Sequence, residues 1–208
     1  MSEEISADQV KALRERTGAG MMDCKKALAE AGGDMERAVE ILREKGLASA
    51  KKRAGRSANQ GRIESYVHFN NTVGVLVEVN SETDFVANTD EFRDLARDIA
   101  IHIASLNPGW VSREDVPSGV IDSERHIYEV QAKESGKPEN VLPKIVEGKL
   151  EGFFKENVLL DQPFVKDDKR SVAQLVDEVS AKVGEKVAVR RFVRYKLGED
   201  DEQGHADG

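Results

Sequence analysis

The chain has 208 residues, of which 39% are hydrophobic and 34% are charged, and its formal net charge is −8. No apolar run is long enough to span a bilayer, and the acidic N-terminus lacks the features of a secretory signal, so we expect a cytoplasmic protein without membrane contact. The single cysteine excludes an internal disulfide and a cysteine-based zinc site. The negative charge disfavours broad nucleic-acid binding, which needs a positive surface.

Residues 1–46 are predicted to form three short helices. Ser6 and Gln9 have the spacing of a capping box at the start of the first helix. Glycines then separate the helices, and Gly46 is expected just beyond the end of the third. Because a bundle of this size has only a small core, we interpret residues 1–50 as an N-terminal module that docks onto a partner.

The next segment, residues 51–62, has several basic side chains and no large apolar ones. This composition predicts a flexible basic linker. Its Lys51-Lys52-Arg53 run could contact an acidic or phosphate-bearing partner, although a solvated linker is the commoner interpretation of such a run. The acidic, polar residues 198–208 have nothing to bury and are predicted to form a disordered tail.

Residues 63–197 are predicted to form a core domain of class α+β, with a small antiparallel sheet packed against helices. Two apolar-alternating runs flank Asn70-Asn71, which suits the turn of a hairpin. From residue 89 the apolar period becomes helical, and a later helix is expected to open at Ser123. Three arginines interrupt the last strand, at residues 186–197, which is typical of an edge strand.

The stretch 75–88 combines a buried strand with an unusual ending. Val75, Val77 and Val79 share one face, and the pattern then stops in polar, turn-forming residues followed by Asp84-Phe85. Phe85 has two interpretations. It either folds back into the core, which is the commoner outcome for a lone phenylalanine beside a strand, or projects as an anchor toward a partner.

The sequence contains no recognisable catalytic motif or cluster of catalytic residue types. There is no glycine-rich phosphate loop and no H-E-x-x-H motif, and the four histidines do not cluster. Cys24 lies inside a predicted helix, where a small packing residue is more common than an activated thiol. Since no nucleophile, base and orienting group come together, we expect a binding protein that is not an enzyme and that needs no cofactor or metal.

Several motifs together resemble those of a known family. The run V-K-A-L-R-E-R-T-G-A-G-M-M-D-C-K-K-A-L at 10–28 is similar to the N-terminal signature of translation elongation factor Ts. The run L-V-E-V-N-S-E-T-D-F-V-A at 76–87 resembles the second signature of that family. The resemblance extends from residue 6 to about residue 198 and is carried further by I-H-I-A at 101–104, S-G-K-P at 135–138 and Q-P-F-V at 162–165. The chain resembles a compact member, because it lacks one core half-repeat and the late helical hairpin of the longest members.

The resemblance implies a nucleotide-exchange factor that binds elongation factor Tu in its GDP-bound and nucleotide-free states. It implies a ubiquitin-associated-like N-terminal module and a core that reaches the edge of the partner's nucleotide site. Such a factor binds elongation factor Tu more tightly when the magnesium and phosphate site of the partner is displaced. It must then weaken the binding of GDP by the same factor by which GDP weakens the binding of the exchange factor. The residues that match the family's contacts are Arg14, Met21 and Met22 in the module, Thr83, Asp84, Phe85 and Val86 beside the nucleotide site, and His102 on the core helix.

Two further expectations follow from this resemblance. Loss of one half-repeat leaves an apolar sheet or an edge strand without cover, which predicts a homodimer. Longer members often have a histidine one turn before His102, where this chain has Asp98, and any contact made by that histidine is not carried over.

Other classes of function compete with this interpretation. The main alternative is a nucleic-acid-binding protein that uses the basic linker and the arginines of the last strand, although direct nucleic-acid contact is not expected at this net charge. A thiol enzyme built on Cys24 is the third candidate.

Overall fold

In a computed structural model, residues 5–199 are described, apart from the side chains of Leu47 and Lys51. The predicted tail from residue 200 onward lies outside the described residues. Within them the chain forms eight α-helices and five strands, which confirms the α+β class. The helices are α1 (Ala7–Thr17), α2 (Met21–Glu30), α3 (Met35–Arg53), α4 (Asp84–Ala87), α5 (Asp90–Leu106), α6 (Ser118–Glu134), α7 (Leu142–Asn157) and α8 (Val172–Val183). The strands are β1 (Gln60–Val67), β2 (Val73–Ser81), β3 (Pro163–Phe164), β4 (Asp167–Ser171) and β5 (Val187–Lys196).

The first three helices form the predicted bundle. Ser6 and Gln9 make the capping box, with the Gln9 amide donating to Ser6 Oγ at 3.2 Å and the Ser6 amide donating to Gln9 Oε1 at 2.9 Å. Gly18 ends α1 in the left-handed region, at φ 69°. The bundle core consists of small and medium-sized apolar side chains, namely Val10, Leu13, Cys24, Ala27, Leu28, Ala38 and Ile41. Cys24 is thus a buried packing residue.

Helix α3 is longer than its sequence predicts. It passes through Gly46 and ends at Arg53, three residues into the segment predicted to be a linker. The glycine serves close packing here, since a Cβ at position 46 would lie only 3.1 Å from the Cβ of Ala181 in α8. Arg53 is buried, and its guanidinium donates to the carbonyl of Ser180 at 3.0 Å. Helix α3 is therefore packed against α8 at the point where a flexible chain was expected.

The main sheet has the strand order β1-β2-β5, which places β5 at an edge as predicted. The hairpin turn contains Asn70 and Asn71, and Asn71 adopts φ 57°, a conformation that asparagine tolerates. The amide of Leu197 donates to the carbonyl of Thr72 at 2.8 Å, so the end of β5 lies beside the start of β2. Both neighbouring strand pairs are consequently antiparallel. A second, two-stranded antiparallel sheet contains β3 and β4.

The chain folds as two compact units, each assembled from separate stretches of sequence. The first contains the chain up to Arg62 together with Val79–Leu95 and Ala173–Ala188. The second contains Ile63–Glu78, Ala96–Val172 and the chain from Val189 onward. This division differs from the contiguous domains predicted from sequence, because distant segments share each unit.

Helices α6 and α7 form the predicted helix pair within the second unit. Their shared core contains Ala132, Val146 and Leu150. Helix α6 begins at Ser118, five residues before the predicted start at Ser123, because Pro117 immediately precedes its first turn as the N-cap. No helix among the described residues is long and apolar enough to cross a membrane.

Candidate partner-binding site

The 83–86 segment forms one exposed turn of helix directly after β2. Phe85 is 85% exposed, and Asp84 beside it is also exposed. The next two residues, Val86 and Ala87, are 9% and 4% exposed and hold the turn against the protein. Phe85 therefore does not fold back into the core but projects from the surface.

Hydrogen bonds at both ends fix this short helix. Thr83 is its N-cap and accepts from the amide of Val86 at 3.4 Å. On the far side, Asn88 Nδ2 donates to the carbonyl of Asp84 at 2.9 Å, and Thr89 Oγ1 donates to the carbonyl of Val86 at 2.8 Å. A four-residue helix has almost no stability of its own, so these caps determine where Phe85 points.

The segment between α8 and β5 supplies a second set of contacts to the same turn. The carboxylate of Glu185 accepts from the Thr83 amide at 3.0 Å and from Thr83 Oγ1 at 2.7 Å. In the opposite direction, Glu82 Oε1 accepts from the amide of Lys186 at 2.6 Å. That amide, and to a smaller extent Arg56, lower the pKa of Glu82. No local pattern marks Glu185 in the sequence, because Thr83 lies 102 positions away.

In the N-terminal module, the three predicted contact residues surround the α1–α2 turn. Met21 and Met22 open α2 and are 51% and 65% exposed, although both are large apolar side chains. Arg14 is exposed in the last turn of α1, where its carbonyl accepts from the amide of Gly18 at 2.8 Å. The turn thus presents two flexible apolar side chains and one cation, a combination suited to a binding surface.

A sequence model described as Elongation factor TS matches residues 4–199. The protein named Elongation factor Ts from Thermoanaerobacter sp. (strain X514) is 58% identical to this chain, over 94% of this chain and 96% of the relative. The protein of the same name from Desulforamulus reducens is also 58% identical, over 98% of this chain and 94% of the relative. The protein of that name from Carboxydothermus hydrogenoformans is 60% identical, over 94% of this chain and 90% of the relative. The chain belongs to the elongation factor Ts family. It is a factor of protein synthesis, and membership implies a role in nucleotide exchange on elongation factor Tu.

His102 is placed differently from the expectation for an elongation factor Ts contact residue. It is fully buried, and its ring stacks on Phe164 with the centroids 6.0 Å apart. Nδ1 accepts from the amide of Val165 at 3.2 Å, so Nε2 carries the proton and donates to Gln162 Oε1 at 2.9 Å. Burial lowers the pKa of this imidazole. In this chain His102 holds the 162–165 segment in place and presents no surface to a partner, because that segment covers it.

Asp98, one turn before His102, is also occupied within the chain. Its carboxylate pairs with the ammonium group of Lys166 at 2.6 Å. Where the resemblance places a histidine in longer members, this chain therefore has an aspartate that binds a lysine of the neighbouring segment.

The basic segment offers less free charge than its sequence indicates. Arg53 is buried, and Arg56 pairs with Glu82 at 3.2 Å. Lys186 Nζ in turn donates to the carbonyl of Arg56 at 2.9 Å. These contacts join the segment to the region of the Phe85 turn.

Proposed function

We propose that this chain binds elongation factor Tu in its GDP-bound and nucleotide-free states and promotes GDP release by disturbing the magnesium and phosphate site. The observation that carries the proposal is the exposure of Phe85 on a turn fixed at both ends. An aromatic ring held in water is unfavourable unless a partner buries it in the complex. Phe85 inserts into the GTPase domain of the partner, with Asp84 as its polar neighbour.

Exchange by this route follows from linkage. GDP and its magnesium ion favour one arrangement of the partner's nucleotide site, whereas an inserted phenyl ring favours a displaced arrangement. GDP and the exchange factor therefore lower each other's affinity for elongation factor Tu by the same factor. No covalent step is required, so we propose a binding protein that is not an enzyme and that acts in the cytoplasm, where protein synthesis takes place.

The N-terminal module contributes affinity in this proposal. Met21, Met22 and Arg14 lie around one turn and contact the GTPase domain of elongation factor Tu. Exposed methionines adapt to a partner surface at a small cost in strain, and an arginine can add a charge-assisted hydrogen bond.

The test is Phe85→Ala, measured as release of labelled GDP from elongation factor Tu together with the melting temperature of the variant. Burial of a phenyl ring contributes about 2–3 kcal/mol, which corresponds to release that is roughly 30- to 150-fold slower. The melting temperature is expected to stay close to that of the unmodified chain, because the ring makes few contacts of its own. Lost stability with an unchanged rate per folded molecule would refute the insertion mechanism.

We propose in addition that the chain forms a homodimer through one face of the main sheet. Alternation along β1 exposes Ile63 and Val67, and Leu76 of β2 is 49% exposed. Val193 and Tyr195 of the edge strand β5 are exposed as well. Monomeric proteins rarely expose contiguous apolar faces of this kind. A second copy fits best, since a twofold axis lets one apolar face cover its own equivalent.

A further inference from the structure

We propose that Glu185 is a positioning residue for nucleotide exchange, which acts by fixing Thr83 and thereby the direction of Phe85. This inference rests on the insertion mechanism proposed above. It assigns a role to a residue that neither the family signatures quoted above nor the partner contacts contain. Glu185 follows α8 and is half-buried. It touches the exchange element through two hydrogen bonds.

The contacts between the two segments are reciprocal. Glu185 takes the amide and the hydroxyl of Thr83, while Glu82 takes the amide of Lys186. Two neighbouring residues on one segment thus exchange side-chain bonds with two neighbouring residues on the other. Such a clasp resists both rotation and sliding of the turn that begins at Thr83.

Glu185 is itself held from behind. Ser180 is 3% exposed, and its Oγ donates to the carbonyl of Glu185 at 2.6 Å. The carbonyl of Ser180 accepts from the buried Arg53 at the end of α3. The backbone of Glu185 is therefore fixed by contacts with packed helices. This restricts the positions that its carboxylate, and with it Thr83, can adopt.

The Thr83 hydroxyl links the clasp to the helix that carries Phe85. It donates to Glu185 and accepts from the amide of Val86, so its orientation serves both bonds. Since α4 has a single turn, a freely rotating Thr83 would leave Phe85 distributed over several directions. Holding a binding residue in its bound geometry raises the effective strength of its contacts.

A carboxylate is the side chain that this position requires. Both of its oxygens accept, one from an amide N–H and the other from a hydroxyl. In Glu185→Gln, one acceptor becomes an amide NH₂, which cannot accept from either Thr83 donor. The variant has nearly the same size but loses the negative charge and one of the two bonds that Thr83 donates, which makes it a direct probe of the clasp.

The experiment measures GDP release from elongation factor Tu over a range of factor concentrations, with the full chain and its variants. Glu185→Gln is expected to lower the maximal release rate about 3- to 10-fold, as loss of one hydrogen bond of ordinary net strength predicts for a contact at the protein surface. The concentration for half-maximal release is expected to change less than about twofold, because the N-terminal contacts remain. The matched control is Glu178→Gln, which removes a carboxylate of α8 that pairs with Arg43 at 3.2 Å, and it is expected to leave both values unchanged.

A local measurement separates positioning from general stability. In Glu185→Gln, hydrogen exchange at the amides of Thr83 and Val86 is expected to accelerate, since both amides belong to this network. The melting temperature is expected to match that of Glu178→Gln. A uniform rise in exchange throughout the chain would overturn the positioning role.

The double variant Glu185→Gln/Phe85→Ala decides whether Glu185 acts through Phe85. If it does, Glu185→Gln has no further effect once the ring is absent. Equal effects in both backgrounds would overturn the positioning role. If Phe85→Ala slows release and Glu185→Gln does not, only the positioning role is overturned. If Phe85→Ala leaves release unchanged, the insertion mechanism fails and this inference fails with it.

Discussion

Asp84 and Phe85 leave the same turn side by side, but they contribute different interactions. Phe85 offers a large apolar area, whereas Asp84 is an exposed carboxylate in the first turn of α4. Exposed charges contribute little because water and salt screen them. We therefore expect Asp84→Ala to slow GDP release less than tenfold, by less than about 1.4 kcal/mol. The measurement is GDP release at low and high salt, and a loss as large as that of Phe85→Ala would contradict this ranking.

Phe85 also shows why its direction could not be decided from sequence alone. An acid followed by an apolar ring after a strand fits both a core residue and an exposed anchor. The two residues that follow decide the matter, because Val86 and Ala87 take the buried positions of the turn. Glu185 was beyond reach for a related reason, since its role depends on pairing with a residue far along the chain.

His102 leads to a prediction about pH. Its folded pKa lies below the ordinary value of 6.5, chiefly because burial disfavours the charged imidazolium. The unfolded state therefore binds more protons as the pH falls below 6.5, and stability is lost in that window while it is fully present above 6.5. We expect the melting temperature to fall between about pH 7.5 and about pH 5.5, more in the unmodified chain than in His102→Gln.

The comparison between the two chains isolates this histidine. The two chains differ at position 102 alone, so the contributions of all other ionisable groups cancel in the difference. An equal fall in melting temperature for both chains would show that the imidazole is not held neutral.

At the scale of elements, α3 joins the N-terminal module to the rest of its compact unit. Arg43 pairs with Glu178 at 3.2 Å, and Gly46 packs against Ala181. Caps and glycines predicted the three N-terminal helices correctly, because they are local signals. They did not predict the continuation of α3, because a glycine that permits close helix packing has the same letter as one that ends a helix.

This packing affects how the docking role of the module is tested. Removal of residues 1–50 would strip α8 of its contacts with α3, so weaker binding after deletion would mix folding with docking. The double variant Met21→Ala/Met22→Ala avoids this, since both side chains are exposed. We expect it to weaken elongation factor Tu binding roughly tenfold, with an unchanged melting temperature. Lys11→Ala, an exposed change elsewhere on the module, serves as the control. Unchanged affinity of the methionine variant, measured by titration calorimetry, would remove the docking role.

At the scale of the whole molecule, the exposed face of the main sheet bears on its association state. Strands β1, β2 and β5 lie side by side and each exposes apolar residues, while Arg191 and Glu78 pair at 2.8 Å. Alternation explains why a sequence with a modest apolar content can still present such a face, since every second residue of a strand points the same way. The sequence predicted the edge position of β5 from its arginines. Which residues form the exposed apolar face became clear only when the three strands were placed side by side.

The final prediction concerns that face. Light scattering at tens of micromolar is expected to give twice the 23.0 kDa of one chain. Leu76→Glu places a charge in the centre strand of the face, where burying it without a partner is strongly unfavourable, and is expected to give a monomer. The control is Ile127→Glu, because Ile127 of α6 is 43% exposed and lies outside the sheet, and it is expected to leave the dimer intact. A monomeric unmodified chain would refute the dimer. Dissociation by Ile127→Glu with retention by Leu76→Glu would place the interface elsewhere.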